Sequence, residues 1–213
     1  MKKIFIFVLL LLMATGCVRI DNSNNYKEIA ESIVNSNTNR VNVATKGYEY
    51  YLPKGVSINK DLEFNQIFKI ESTKLYMYVD IVSYYYKNSE NNNVDGNSFD
   101  YYEVINTTKR NGYVAINKEE DDKYFIRVVI DYARVEAYSK KSNISSVVSY
   151  AVLILDSIKY NDKLIEKYIV DNKITSSDVL YKIKKPEDSE SKFNQYLQEY
   201  VDEEVDAADL PDE

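Results

Sequence analysis

The side chains able to carry chemistry in this 213-residue chain are bounded first by what is missing. It has no histidine, no tryptophan and one cysteine, Cys17. Zinc sites built from Cys and His, Ser-His-Asp triads and thiol nucleophiles beyond Cys17 are thereby excluded. Carboxylates, arginines and 21 tyrosines remain. One group lies along "LYMYVDIVSYYY", where Tyr76, Tyr78, Tyr84 and Tyr86 surround Asp80. Tyrosine offers a rigid ring and a hydroxyl at small entropic cost, so this stripe can act as a platform for carbohydrate or peptide. A tyrosine-rich chain also produces such a stripe by composition, as the half-covered rim of a sheet. A second group is Arg127 and Asp131, four residues apart on a strand-like run and so about 13 Å apart, too far to pair directly. Asp80 is then a candidate partner for Arg127. Hydrolysis by paired carboxylates needs a cleft, which these spacings do not define.

The loop "NNNVDGNSFDYYE" places Asn91, Asn93, Asp95 and Gly96 at positions 1, 3, 5 and 6 of a calcium loop, and in this it resembles an EF-hand. The closing position falls on Tyr102 instead of Glu103, the first ligand is Asn instead of Asp, and the flanks are strand-like. The expectation is a solvated Asn-rich turn, with no metal or other cofactor assigned.

The lone cysteine has a different setting. Lys2 and Lys3 precede an apolar run, Ile4 to Met13, that is too short for a bilayer's hydrocarbon core, which takes about 20 residues. The run ends in Ala14-Thr15-Gly16-Cys17 and resembles the lipobox of bacterial lipoproteins, departing from the commonest form at Ala14, where Leu is usual. The resemblance implies removal of residues 1–16 and a diacylglyceryl group on the Cys17 sulfur, holding the protein on the extracytoplasmic side of the cell membrane. An ordinary secretory signal would leave Cys17 an unpaired thiol in an exported protein, which is disfavoured. Each buried methylene contributes about 0.8 kcal/mol, so two acyl chains hold a protein far more firmly than one.

The formal charge of −7 becomes −9 once Lys2 and Lys3 leave with the signal, and eight of the 34 acids fall in residues 196–213, which hold no Lys or Arg. The body is therefore close to neutral. That balance argues against nucleic acid as a partner and against electrostatic adhesion to anionic lipid. The acidic end reads equally as a solvating tail or as a docking segment for a basic partner.

These groups need elements to position them. Residues 17–25 are polar and aperiodic, a tether. Tyr26, Ile29, Ala30, Ile33 and Val34 recur at helical spacing over 26–36. Strand-like patterning follows for about a hundred residues, with central strands expected at "LYMYVDIVSYYY" and "YFIRVVIDYARVEAY" and shorter ones near 99–105 and at "YVAIN". After Asn143, a candidate N-cap, Ile144, Val147, Val148, Ala151, Val152 and Leu155 predict a buried helix. Short connections favour an antiparallel sheet, and its aliphatic face must be covered by these two helices. The class expected is α+β. The order from "YEYYLPKGVSI" through long strands to a helix ending in "DSIKY" resembles the PsbP/Mog1-like fold of exported bacterial lipoproteins, over about residues 26–160. That resemblance implies binding and assembly roles and supplies no catalytic residues. The organisation expected is a signal peptide at 1–16, a tether at 17–25, an α+β domain at 26–160 and a helical extension with an acidic tail at 161–213. The function expected is a lipid-anchored interaction module of the cell envelope with a protein partner. A carboxylate-dependent envelope hydrolase and a small-solute-binding lipoprotein are the alternatives.

Overall fold

Asn25 starts the first helix by accepting a hydrogen bond from the Glu28 amide at 3.3 Å, and Tyr26, Ala30 and Val34 form the buried stripe of α1 (Tyr26–Asn35). In chain order there follow β1 (Val43–Ala44), β2 (Tyr48–Tyr50), β3 (Val56–Leu62), β4 (Asn65–Ile70), β5 (Thr73–Val79), α2 (Ile81–Tyr86), β6 (Tyr101–Asn106), β7 (Asn111–Lys118), β8 (Lys123–Ile130) and β9 (Ala133–Lys140). Then come α3 (Ile144–Asp156), β10 (Lys159–Tyr160) and α4 (Asp162–Asp171). The computed structural model describes residues 25–36, 39–88, 94–119, 121–178 and 180. The signal sequence, Cys17, the tether, Asn91, Asn93 and the apolar stripe and acidic tail beyond residue 180 lie outside the described residues.

The class is α+β with antiparallel sheets, as the sequence predicts. Seven strands run in the order β3-β4-β5-β9-β8-β7-β6, every neighbouring pair antiparallel, and β1-β2-β10 form a small second sheet. Three of the hairpins turn on two residues, and each such turn begins with an acidic residue at positive φ: Glu63 (50°), Glu71 (51°) and Asp131 (50°). This left-handed conformation costs Asp less than most residues, because its short side chain bonds locally.

One face of the large sheet carries Leu75, Met77, Val79, Val114, Ile116, Ile126, Val128, Ile130 and Val135, all buried. α3 lies over β8 and β9, and α1 packs on α3 and β6. Val148, Val152 and Ile154 of α3 are fully enclosed, each contributing about 1.5–3 kcal/mol of burial. α4 adds Ile165 and Ile169 to the same core. The opposite face holds two smaller clusters. Ile67, Tyr76 and Tyr78 form one; Tyr113, Ala115 and Val129 form the other, packed against Val94, Phe99 and Tyr102.

Two expected strands are corrected. "LYMYVDIVSYYY" is not one strand: β5 stops at Val79, and Asp80 caps α2 by accepting from the Ser83 amide at 2.9 Å. "YFIRVVIDYARVEAY" is a hairpin, folded back at Asp131-Tyr132 so that Ile130 faces Ala133.

Candidate functional site

On the face turned away from α1 and α3, register places side chains in rows across β5, β9, β8 and β7. Tyr78 stands opposite Arg134, Arg134 opposite Val129, and Val129 opposite Tyr113. The next row runs Tyr76, Glu136, Arg127, Ala115. Arg127 and Arg134 are thus diagonal neighbours on adjacent strands, within reach of the same carboxylate. Arg127 Nε donates to Glu136 Oε1 at 2.8 Å, and Arg134 Nε lies 3.5 Å from that same oxygen. Glu136 is completely buried, and among the described residues its Oε2 has no hydrogen-bond partner. The Arg127 guanidinium sits between Phe99 and Phe125, 5.8 and 5.5 Å from the ring centres, and Arg134 lies 4.7 Å over Tyr78.

These residues enclose a cavity of about 80 Å³, lined by Arg127 and Arg134, by Tyr78, Tyr113, Val94 and Val129, and by Asp80, Asp131, Tyr132 and Ala133. Burial raises the Tyr113 hydroxyl above its ordinary pKa, opposed by the charge of Arg127 and by a hydrogen bond with it. Glu136 stands behind the wall, since it does not line the space.

The two carboxylates that line the cavity have other duties. Asp80 accepts from the amide and hydroxyl of Ser83 at 2.9 and 2.8 Å. Asp131 accepts from Arg110 Nη1 at 2.8 Å and from the Asn111 amide at 3.1 Å. Arg110 also reaches Asp156 Oδ1 at 3.2 Å and the Asp156 and Ile158 carbonyls at 2.5 and 3.3 Å, tying two hairpin turns to the end of α3. Its burial works against the guanidinium's charge, and Asp131 and Asp156 more than offset that, so its pKa is raised.

Behind Tyr132 stands an aromatic cluster. Tyr84 stacks on Tyr160 with ring centres 3.8 Å apart and meets Tyr132 edge-on at 5.5 Å. The Tyr84 hydroxyl donates to Asp162 Oδ1 at 2.6 Å, and desolvation with that hydrogen bond pushes its pKa up to about 12.

The five residues expected to share one face are therefore divided. Tyr76 and Tyr78 point from the sheet and are buried, at 6 % and 2 % exposure, so they form no exposed platform. Asp80 is a helix cap; Tyr84 belongs to the aromatic cluster; Tyr86, at 41 % exposure, donates to the Ile174 carbonyl at 2.8 Å. The break at Asp80 is the cause, because α2 turns side chains off the strand's two-residue period. Arg127 pairs with Glu136, and not with Asp80, but Tyr78, Asp80, Arg127 and Asp131 all meet at the one cavity. In the 91–103 loop, the described part is a short 3-10 turn, Gly96–Ser98, capped when Asp95 accepts from the Asn97 amide. A Cβ on Gly96 would fall 2.7 Å from the Tyr102 ring.

Arg134 and Glu136 were not singled out by sequence. Their signal is the i, i+2 spacing in "ARVEAY", which acquires meaning only once that segment is known to be the partner strand of Arg127. No family model matches the chain, and no curated protein and no solved structure shows detectable similarity to it.

Proposed function

We propose that this chain is a lipid-anchored, extracytoplasmic binding module of a bacterial cell envelope, whose partner is another envelope protein. The anchor half of this reading rests on Ala14-Thr15-Gly16-Cys17 after a short apolar run, the pattern that resembles a lipobox. It is extended by the element order that resembles the PsbP/Mog1-like fold, a family of binding and assembly proteins. The observation that carries the binding half is the small cavity where Arg127 and Arg134 converge beside Tyr113. Arginine and tyrosine are, with tryptophan, the residues enriched at interface hot spots. A carboxylate hydrolase is the weaker reading, because the two acids at the cavity, Asp80 and Asp131, already serve a helix cap and Arg110.

Two experiments test the halves separately. Cys17→Ser is expected to move the protein from the membrane fraction to the soluble extracytoplasmic fraction; unchanged membrane partition would refute the anchor. A photo-crosslinking side chain at Val94, on the cavity wall, is expected to capture a protein in cells, and to lose it when Arg134→Gln is added. Capture that is indifferent to Arg134→Gln, or identical from a crosslinker at the remote Lys118, would refute this cavity as the binding site.

A further inference from the structure

We infer that the chain's own C-terminal segment, residues 181–200, is the layer that covers Ile67, Tyr76 and Tyr78 on the outer face of β4 and β5. The inference is independent of both the anchor and the partner. Register puts these three side chains on the face turned away from α1, α3 and the main core: Ile67 stands opposite Tyr76, and Tyr78 lies two residues further along β5. Their exposures are 0 %, 6 % and 2 %. Side chains on one sheet face stand side by side and do not roof one another, so burial of this degree requires a further layer. Arg134 lies over Tyr78, and among the described residues Leu62 is the apolar side chain packed against the three. Both rise from strands of the same sheet, while α1, α3 and α4 contribute their buried residues to the core on the other face.

The place where the described chain ends points to the cover. Leu180 packs its side chain on the main core, but its carbonyl accepts from Asn65 Nδ2 at 3.2 Å. Asn65 stands opposite Tyr78 and two residues before Ile67, so it belongs to the outer face. The chain therefore leaves the described structure at the border of the covered patch. Its other end starts elsewhere: α1 packs on β6, five strands from β4 and so about 24 Å away. Residues 89–93 lead into Val94, which packs on the separate cluster of Tyr113, Ala115 and Val129. The sequence after Leu180 carries a matching pattern. Phe193, Tyr196, Leu197 and Tyr200 recur at i, i+3, i+4 and i+7, an apolar stripe at helical spacing. Eight residues at that spacing span about 12 Å, enough to cross two to three strands. Lys60, Lys69 and Lys74 share the outer face with Ile67, and Glu199 with the seven acids after Tyr200 complements them in charge. Tyr78 also lines the cavity, so the seated segment borders the site proposed for a partner.

The test is photo-crosslinking within the purified full chain in neutral detergent. A benzophenone amino acid replaces Lys69, which is exposed and follows Ile67 on the same face; a second chain carries it at the remote Lys118. After irradiation, protein of monomer mass is digested and the linked peptides are mapped by mass spectrometry. The expected result is a link from position 69 into residues 181–200 of the same chain, with none from position 118. Leu197→Asp would bury an unpaired carboxylate in the contact and is expected to abolish the link, whereas Leu197→Met keeps it. Far-ultraviolet circular dichroism, unchanged in both variants, establishes that the sheet itself is intact. A link from position 69 into residues 1–24 or 89–93 instead would overturn the inference, as would a product of doubled mass, which marks a second copy as the cover. So would a yield indifferent to Leu197→Asp, or no link from position 69 at all.

Discussion

Replacing Glu136 by Gln keeps the side chain's shape and one carbonyl oxygen for Arg127 and Arg134, but removes the negative charge that both guanidiniums meet. Removing one member of a buried ion pair costs about 3–5 kcal/mol, because the other charge remains desolvated. Here the carboxylate is fully enclosed, while Arg127 and Arg134 keep 18 % and 26 % of their side-chain exposure. That residual hydration relieves part of the penalty, so the expected loss is near the lower end, about 3 kcal/mol. For a protein of this size each kcal/mol moves the melting temperature by about 2–4 °C, giving a fall of about 6–12 °C. Urea unfolding followed by far-ultraviolet circular dichroism reads the same quantity as a lower midpoint with an unchanged slope. The companion variant, Arg127→Met with Arg134→Met and Glu136→Leu, replaces the whole cluster with apolar groups and is expected to recover most of the loss. A Glu136→Gln protein within about 0.5 kcal/mol of the original would refute the reasoning, since that is the scale of an ordinary surface substitution.

Gly112→Ala should be among the most damaging single-methyl additions in the chain: its Cβ would lie 1.9 Å from the Val129 carbonyl oxygen on the adjacent strand, so β7 and β8 must separate locally. A loss of at least about 3 kcal/mol in urea unfolding is expected, and a loss below about 1 kcal/mol would contradict the close approach. Arg110→Lys keeps the charge but cannot span Asp131, Asp156 and the Ile158 carbonyl at once; a loss of about 2 kcal/mol is expected, with an unchanged midpoint as the contrary result. Stability should fall in alkali: burial raises the Tyr48, Tyr50 and Tyr160 hydroxyls, and Tyr84 reaches about 12, whereas the unfolded chain ionises near 10. The folded state therefore holds protons that the unfolded state has released, so this stability is complete below about pH 10 and drains away as pH climbs through 12. Urea midpoints at pH 8, 10 and 11 check this, and a flat series would refute it.

The aliphatic face, α1 and α3 were legible because their periods persist for several turns or residue pairs and burial enforces them. Asn143 was read as the cap of α3 and is its N-cap residue by position, yet its side chain makes no capping hydrogen bond. The turns were less legible. Asp131-Tyr132 lacks the glycine of the Asn-Gly and Asp-Gly pairs that mark a tight hairpin, and the even-numbered alternation runs on from Ile126 to Tyr132 before the inward face passes to Ala133, Val135 and Ala137, so two strands read as one. Asp80 hid a helix start for a related reason: Ile81 and Val82 are β-branched and prolong the strand's composition, while the cap is signalled only by Asp80 with Ser83 three residues on. The cavity inherits this. Arg127 and Asp131 stand out as charges in an apolar run, but Arg134 and Glu136 join them only through a pairing that depends on the missed turn.

The strand order has a consequence for how the sheet assembles and how it fails. β3, β4 and β5 form one meander and β6, β7, β8 and β9 another, each stitched by contacts between neighbours in sequence. A single ladder joins them, from Leu75 opposite Ala137 to Val79 opposite Ala133, and closing it links residues more than fifty positions apart. Loop-closure entropy falls on that one step, so the two meanders can order early while the seam between β5 and β9 sets the pace. The same seam carries Tyr76 beside Glu136 and Tyr78 beneath Arg134. A partner seated in the cavity, as proposed, would touch Tyr78 of one half and Arg127 and Arg134 of the other, and amide exchange along β5 and β9 should slow when the site is filled.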